Sequence, residues 1–366
     1  MRTRLVPWLV LSTIAAAAVV AGQPTAWREI TAPHELVFPR DDGAHPDVRT
    51  EWWYVTGLVD GDDGARFGFQ VTFFRRGMAP GEPPPGSSAL RARQIAAAHL
   101  AIVDLDTGRF RHAQRLRRWG GGLAGASTDD LEVWLDDWVM QRQSDGVVTI
   151  EAHDPGSALG VDLEFTPNRP QVLHGNGGLS RKGAEPGNGS VYLSWTRLEV
   201  RGRVEVAGST TSVTGTAWFD HEWGSSQLGA GIAGWDWFGL RLADGRDLMV
   251  YLLRRTDGST DPFSSGTLVE PDGSSHQLDR HDLTVEARQW WTSPVTGARY
   301  PVSWQLRVPD HAVDLEIRAP VPACELDGRA TTGVVYWEGP VVISGSVRGE
   351  GYVELTGYAG SLDGRF

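Results

Sequence analysis

Short segments in which apolar residues alternate with other residues, separated by turns rich in Asp and Gly, run through most of this sequence. The stretch EWWYVTGLVDGDDGARFGFQVTFFRR consists of one such segment, the turn DGDDG and a second segment. In the second segment Phe69, Val71 and Phe73 alternate, so they lie on one face of a strand. Further segments surround turns such as DTGR, ADGR and PDGS, and we find no amphipathic helix of ordinary length. The pattern predicts an all-β protein built from antiparallel hairpins.

The chain is long enough for more than one such unit. A length of 366 residues favours two domains. We place them at residues 24–226 and 227–366, because a second set of hairpins begins near GIAGWDWFGL. The net charge of −12 argues against binding to a nucleic acid backbone. The 16 tryptophans suit strands that enclose an aromatic-lined interior.

The N-terminus has the pattern of a secretory signal. Arg2 and Arg4 precede an apolar run over residues 5–20, which small residues follow. We interpret residues 1–23 as a signal peptide and expect a periplasmic or secreted protein, with an uncleaved anchor as the alternative. The lone cysteine, Cys324, cannot form an intrachain disulfide, and its Pro-rich surroundings indicate an ordinary small residue.

Three clusters place an acid beside aromatic residues, and they are the candidates for chemistry: EWWY at residues 51–54, DHEW at 220–223 and WDWF at 235–238. Alternation along a strand sorts the first two clusters by face. Glu51 shares a face with Trp53, and Trp52 shares the other face with Tyr54. His221 shares a face with Trp223, while Asp220 and Glu222 point the opposite way.

Two interpretations of these clusters remain open. A carboxyl group enclosed by indole rings is desolvated, so its pKa rises and it can donate a proton near neutrality. An aromatic wall also stabilises a developing cation, and both properties suit an enzyme that protonates an alkene. Alternatively, the aromatic residues fill the barrels and the acids pair with arginines such as Arg49, Arg75 or Arg241.

Other chemistries have weaker sequence support. The histidines do not form an H-x-x-x-H motif, and there is no cysteine pair. Asp220, His221 and Glu222 have ligand-type side chains, but adjacent residues diverge on a strand. The chain also lacks the G-x-S-x-G motif of a serine hydrolase. We therefore predict no metal site and no cofactor.

At these motifs the chain resembles the AttH/CrtC family, which contains the acyclic carotenoid 1,2-hydratases and predicted secreted hydrolases. The matching segments are FPRDDGAHPDVRTEWWYVTGLV, FGFQVTFFRR, GTAWFDHEWG and VYWEGPVVISGSVRGEGYVELTGY, which span almost the whole mature chain. The resemblance implies two consecutive lipocalin-like antiparallel β-barrel domains. It also implies a hydrophobic ligand held within a barrel or between the two.

The resemblance implicates particular residues in catalysis. In carotenoid hydratases the His and Trp of a His-x-Trp motif take part, and they match His221 and Trp223. A Tyr and an Asp two residues apart on a following strand are also thought to act; Tyr251 matches the first, and Leu253 stands in place of the Asp. Either the proton donor is then absent, or Glu51 or Asp236 supplies the proton instead. We expect the remaining acid and aromatic residues of the clusters to contact the ligand: Trp53, Tyr54, Asp220, Glu222, Trp235 and Trp237.

Two functions fit these features. The first is an exported hydratase- or lyase-like enzyme that protonates an alkene of an isoprenoid or lipid-like substrate and adds water. The second is a non-catalytic carrier of an apolar ligand in the cell envelope, working with an envelope or membrane-transport partner. The sequence leaves the ligand and the oligomeric state undetermined.

Overall fold

The protein is described by a computed structural model that covers residues 26–81, 92–226 and 228–363. The predicted signal peptide therefore lies outside the described residues. Within these ranges the chain contains β-strands and two short 3-10 helices, Arg40–Asp42 and Pro309–His311, and no α-helix. None of the described helical segments is long and apolar enough to cross a membrane. The prediction of an all-β protein is confirmed.

The first thirteen strands of the described residues form one antiparallel sheet. Their bounds are β1 Thr50–Gly61, β2 Arg66–Gly77, β3 Gln94–Asp104, β4 Arg109–Arg118, β5 Ala124–Ala126, β6 Glu132–Leu135, β7 Trp138–Arg142, β8 Val148–Asp154, β9 Leu159–Pro167, β10 Val172–Leu173, β11 Leu179–Arg181, β12 Gly189–Val206 and β13 Ser209–Gly224. The main path runs β4-β3-β2-β1-β13-β12-β9-β8-β7-β6-β5, and β10 and β11 add to β12. Because β2, β3 and β4 fold over to contact β6, the sheet approaches a closed barrel.

The other ten strands found in the described ranges form the second sheet. Their bounds are β14 Ile232–Leu242, β15 Asp247–Arg255, β16 Ser265–Val269, β17 Ser275–Leu278, β18 Thr284–Thr292, β19 Arg299–Val308, β20 Val313–Arg318, β21 Glu325–Gly328, β22 Val334–Gly345 and β23 Gly349–Thr356. The path is β17-β16-β15-β14-β23-β22-β20-β19-β18, with β21 on β22. This sheet forms a half-barrel. The chain thus has the two consecutive lipocalin-like barrels that its sequence predicts.

The alternation of β1 divides its side chains between two hydrophobic cores. Val55 and Val59 point into the core of the first barrel. Tyr54 and Leu58 point the other way and join a separate core shared with Trp237 of the second sheet. In each sheet the first strand pairs with the last, β1 with β13 and β14 with β23. One face of these central strands therefore packs inside their own barrel, and the other face contacts the second barrel.

A buried charge cluster also joins the two sheets. Asp247 of β15 is fully buried and accepts hydrogen bonds from Arg169 (3.1 Å) and Arg197 (2.5 Å) of the first domain. Thr196 donates to the same carboxylate at 2.9 Å. Breaking such a pair would leave a charge buried without compensation, so the cluster opposes separation of the barrels.

Gly68 of β2 offers a test of how closely the two sheets approach. A Cβ atom there would lie 2.5 Å from the Tyr352 hydroxyl and 3.1 Å from Cγ of Pro340, both in the second sheet. We expect Gly68→Ala to lower the free energy of unfolding by about 1–3 kcal/mol, because the added methyl overpacks this contact. Chemical denaturation measures the change. Gly156→Ala is the control, since its Cβ would have its nearest neighbour at 3.6 Å; equal effects of both substitutions would contradict the prediction.

Candidate active site between the two barrels

A cavity lies between the two sheets. The empty space in it and in the open solvent at its mouth is together about 1400 Å³. The wall is largely apolar, and both sheets contribute aromatic residues to it, among them Trp52, Tyr54 and Phe74 from the first and Trp235 and Trp237 from the second. Cavities with this lining and a few convergent polar groups are typical ligand sites.

Strand alternation places six of the residues predicted from the sequence in this wall. The β13 residues Asp220 and Glu222 face the cavity, and so does Tyr54 on β1, which pairs with Asp220 in register. The second sheet supplies the other three, Trp235, Trp237 and Tyr251. Leu253, which stands where carotenoid hydratases are thought to have an Asp, also lines the wall.

The predicted catalytic residues Glu51, His221 and Trp223, together with Trp53, lie on the opposite faces of β1 and β13 and do not line the cavity. Glu51 is the centre of a network there. Its carboxylate accepts hydrogen bonds from Nε of Arg75 (2.9 Å), Nε2 of His221 (3.0 Å) and Nδ1 of His45 (2.8 Å). Although burial opposes ionisation, Arg75 and the two histidines hold the pKa of Glu51 well below its usual range. An ionised carboxylate of this kind does not donate a proton.

Aromatic stacking completes the Glu51 network. The imidazole of His45 stacks on the indole of Trp223 with centroids 3.8 Å apart and planes 7° from parallel. The rings of His221 and Trp53 stack with their centroids 4.9 Å apart. Burial lowers the pKa of His221, although the hydrogen bond and charge of Glu51 act to raise it. Nδ1 of His221 and Nε1 of Trp223 are buried and have no hydrogen-bond partner among the residues that the structure describes.

Two groups of described residues bring metal-ligand atoms together, although the sequence predicted no metal site. In His45, Glu51 and His221 these atoms lie within 4.8 Å of one another. There, however, Arg75 already supplies the positive charge to Glu51, and both imidazoles hydrogen-bond to the same carboxylate. The arrangement fits a hydrogen-bond network better than a metal centre. The second group, Glu270, His276 and His311, is partly exposed on the second sheet.

Asp236 is also separated from the cavity. It lies between Trp235 and Trp237 on β14, so its side chain points to the opposite face. There it accepts hydrogen bonds from Nε of Arg254 (2.8 Å) and the Tyr358 hydroxyl (3.1 Å). Among the described residues, the structure thus places four of the five predicted catalytic residues outside the cavity wall, with Tyr251 as the exception.

A pair of glutamates that the sequence analysis did not select faces the cavity. Glu338 on β22 and Glu354 on β23 are directly opposite each other in the antiparallel register, and both line the wall. Burial and the neighbouring Glu354 carboxyl hold the pKa of Glu338 well above its usual range. Burial raises the pKa of Glu354 to about 8, with a contribution from Asp220. We call Glu338 and Glu354 the acid pair, and at neutral pH it holds a proton.

Hydrogen bonds from aromatic residues orient the acid pair. The Tyr54 hydroxyl donates to Oε1 of Glu338 at 2.7 Å. The Trp235 side chain forms a hydrogen bond with Glu354. Tyr54 and Glu338 belong to different sheets, so this end of the cavity requires both barrels.

A second polar group, centred on Asp220, faces the same cavity. The Asp220 carboxylate accepts hydrogen bonds from Tyr192 (2.7 Å), Trp218 (2.6 Å) and Ser194. Burial raises the pKa of Asp220 to about 6 and outweighs these hydrogen bonds, which act to lower it. The group is therefore mainly ionised at pH 7. Lys182 and Glu222 form an ion pair beside it. An acid that holds its proton and a carboxylate that has lost one therefore share one apolar cavity.

Local signals could have pointed to some of these residues. Glu338 and Glu354 each interrupt a strongly apolar strand, in VYWEGPVV and GYVEL. Their pairing depends on the register of β22 and β23, which no local pattern specifies. Lys182 has a simpler signal, since it is the single lysine in the chain.

Fold and site together define a lipocalin-like double-barrel protein with a largely apolar cavity between its barrels. A family model described as AttH-like matches residues 29–358. The chain belongs to the AttH-like family, which confirms the resemblance seen in the sequence. No curated protein matches the chain.

Two solved structures are similar over most of the chain. A protein of Nitrosomonas europaea assigned to AttH is 36% identical, with a TM-score of 0.81 over 89% of this chain and 99% of its own. Kievitone hydratase from Nectria haematococca has a TM-score of 0.68 at 13% identity, over 92% of this chain and 97% of its own. The second comparison shows a shared fold.

Replacing Glu51 tests whether its network is structural. We expect Glu51→Gln to lower the free energy of unfolding by about 3–5 kcal/mol, because Arg75 would be left buried without a countercharge. Urea denaturation at neutral pH measures this. The control is Glu164→Gln, which breaks the exposed pair with Arg201 and should cost less than about 1 kcal/mol. A Glu51→Gln protein as stable as this control would contradict the structural role.

Proposed function

We propose that this protein is a hydratase-like enzyme that adds water to a carbon–carbon double bond of an apolar ligand bound between its barrels. The observation that carries the proposal is the acid pair, Glu338 and Glu354, in an aromatic cavity. A hydratase built on the same fold supports the reaction class. Protonation of an isolated alkene needs an acid that is kept protonated and shielded from bulk water, and this cavity provides both.

In the proposed reaction the acid pair protonates the alkene. The proton moves from a carboxyl group of Glu338 or Glu354 to one alkene carbon, and a carbocation forms at the other. Trp52, Trp235 and Trp237 line the same space, and their ring faces stabilise the cation. The Tyr54 hydroxyl stabilises the carboxylate that remains, because it already donates to Glu338.

Asp220 is the base for the second step. A water molecule attacks the cation, and the Asp220 carboxylate accepts the proton that the bound water loses. Three donors orient this carboxylate, so it is held in place before the reaction. Transfer of the proton from Asp220 back to the acid pair completes the cycle, and the electrostatic influence of Asp220 on Glu354 indicates that the groups are close.

His221 and Trp223 take a positioning role in this proposal. They alternate with Asp220 and Glu222 on β13 and bind the Glu51 network on the other face of that strand. Fixing that face holds the two acids at the cavity wall. In carotenoid hydratases the matching His and Trp are implicated in catalysis itself. In this proposal they influence the reaction only by holding the backbone of β13 in place.

We also propose that the substrate is isoprenoid or lipid-like and that the protein acts outside the cytoplasm. The apolar wall supports the first proposal, and the pattern of residues 1–23 supports the second. A carrier without catalytic activity is the alternative, because the cavity by itself suits binding of an apolar ligand. The acid pair favours the enzyme, since a carrier has no need of two opposed carboxyl groups.

Substitution of Glu338 separates the enzyme from the carrier. The wild-type protein, incubated with acyclic carotenoids and shorter terpenes, should yield a product whose mass has increased by one water. We expect Glu338→Gln to lower kcat/KM by about 10²–10⁴-fold, because the amide cannot donate the proton. Glu316→Gln, on an exposed position of β20, is the matched control.

Two results would count against the enzyme. One is a Glu338→Gln variant as active as the wild type. The other is that ligands bind to the wild-type protein and are recovered chemically unchanged, which would support the carrier.

The dependence of activity on pH follows from the two kinds of carboxyl group. Asp220 must be ionised to accept a proton, so activity should fall below about pH 6. Glu354 must be protonated to donate, so activity should fall above about pH 8. We expect a bell-shaped profile of kcat/KM with its maximum between these two pH values. Because the carboxyl groups interact, the two apparent pKa values of the profile describe the groups together. Activity that keeps rising through pH 9 would contradict the acid assignment.

A further inference from the structure

Lysine is almost absent from this chain. Of its 34 lysine and arginine residues, 33 are arginine and one is Lys182. This lysine is buried and lines the cavity between the barrels, just after β11. Arginine keeps its charge in nearly every environment, whereas a buried lysine readily loses its proton and then becomes a nucleophile. The chain therefore places its single side-chain amine on the wall of its ligand site.

The contacts of Lys182 accommodate both protonation states, the ammonium of its ion pair with Glu222 and a neutral amine. Nζ donates hydrogen bonds to Oγ of Ser190 (2.8 Å) and to Oε1 of Glu222. A neutral amine has two N–H groups and one lone pair, so these two acceptors can satisfy both N–H groups and leave the lone pair for a ligand. The rings of Tyr192 and Tyr251 flank Nζ, each with its centroid 5.4 Å away.

The charged and titratable groups around Lys182 come from several elements. Glu222 and Asp220 on β13 favour the ammonium form, and His174, beside β10, lies close enough for Lys182 to influence its pKa. Tyr192 on β12 and Tyr251 on β15 are neutral phenols. Burial outweighs the acids and lowers the pKa of Lys182 to about 7. A substantial share of the amine is therefore unprotonated at neutral pH.

We propose that Lys182 binds a carbonyl-bearing apolar ligand covalently and reversibly, as an imine. The Nζ lone pair attacks the carbonyl carbon of an aldehyde or ketone, and a carbinolamine forms. Glu222 accepts a proton from the nitrogen and returns it to the hydroxyl group, which leaves as water while the C=N bond forms. One amine and one carbonyl thus give one imine and one water, with no oxidant or reductant.

This inference defines the substrate class for the proposed site. The ligand is an apolar aldehyde or ketone that also has a carbon–carbon double bond. Its carbonyl group is held at Lys182, and its chain extends along the aromatic wall, where the acid pair can reach the double bond. The inference rests on the proposed function in one respect, that the cavity is the ligand site; imine formation does not require that hydration occur.

Reductive trapping tests the imine. The purified protein is incubated at pH 7 with citral, an unsaturated acyclic aldehyde, and sodium cyanoborohydride, and the intact mass is measured. We expect one adduct per chain, which peptide mapping places at Lys182. The N-terminal α-amino group is the other primary amine, and mapping separates the two. The arginine of Lys182→Arg keeps a positive charge but does not form an imine. We therefore expect this variant to form at least tenfold less adduct outside the N-terminus.

Matched ligands and binding measurements keep the two proposals distinguishable. Geraniol, the corresponding alcohol, should quench the fluorescence of the cavity tryptophans without forming an adduct. If citral quenches this fluorescence and modifies only the N-terminus, the imine is wrong and the cavity remains the ligand site. If citral is trapped at Lys182 but no ligand gains water, the imine stands and the hydratase proposal fails. Mapping of the wild-type protein decides the site even if Lys182→Arg does not fold.

Discussion

The buried ion pair between Glu51 and Arg75 is the interaction on which the rest of the site depends. It fixes β1 to β2, and the histidine contacts of the same carboxylate add β13 and the segment before β1. The outward faces of these three strands form one wall of the cavity. A buried carboxylate with this many donors tolerates little movement, because every lost contact leaves a charge desolvated. Because this network holds one face of the strands rigid, the side chains on the other face are held in fixed positions at the cavity.

The space between the barrels explains why we propose a reaction there. Inside each barrel, side chains from the inner strand faces fill the volume as a packed core. Between the barrels the two sheets leave a cavity whose wall is largely apolar and rich in aromatic residues. The low polarity of this wall raises the pKa of Glu338 and Glu354 and lowers that of Lys182. One physical cause, desolvation, therefore accounts for both the acid and the nucleophile that we propose in this cavity.

Alternation made much of the site predictable from sequence. In EWWY it correctly divided Glu51 and Trp53 from Tyr54, and in DHEW it divided His221 and Trp223 from the two acids. It could not say which face lined the cavity. Sequence reasoning assigned catalysis to the face bearing His221, whereas the cavity opens on the face bearing Asp220, because the second barrel packs against that side.

The sequence by itself determined the strand pattern, the two-barrel architecture and the family, since these follow from local alternation, turn residues and motifs spread along the chain. Only the tertiary structure decided where the functional groups meet. Glu338 faces Glu354 through the register of β22 and β23, and Tyr54 reaches Glu338 across the two sheets. Lys182 joins them from a loop of the first domain. Such pairings depend on contacts between residues far apart in the chain, and the shifts of their pKa values arise only when both barrels exclude water.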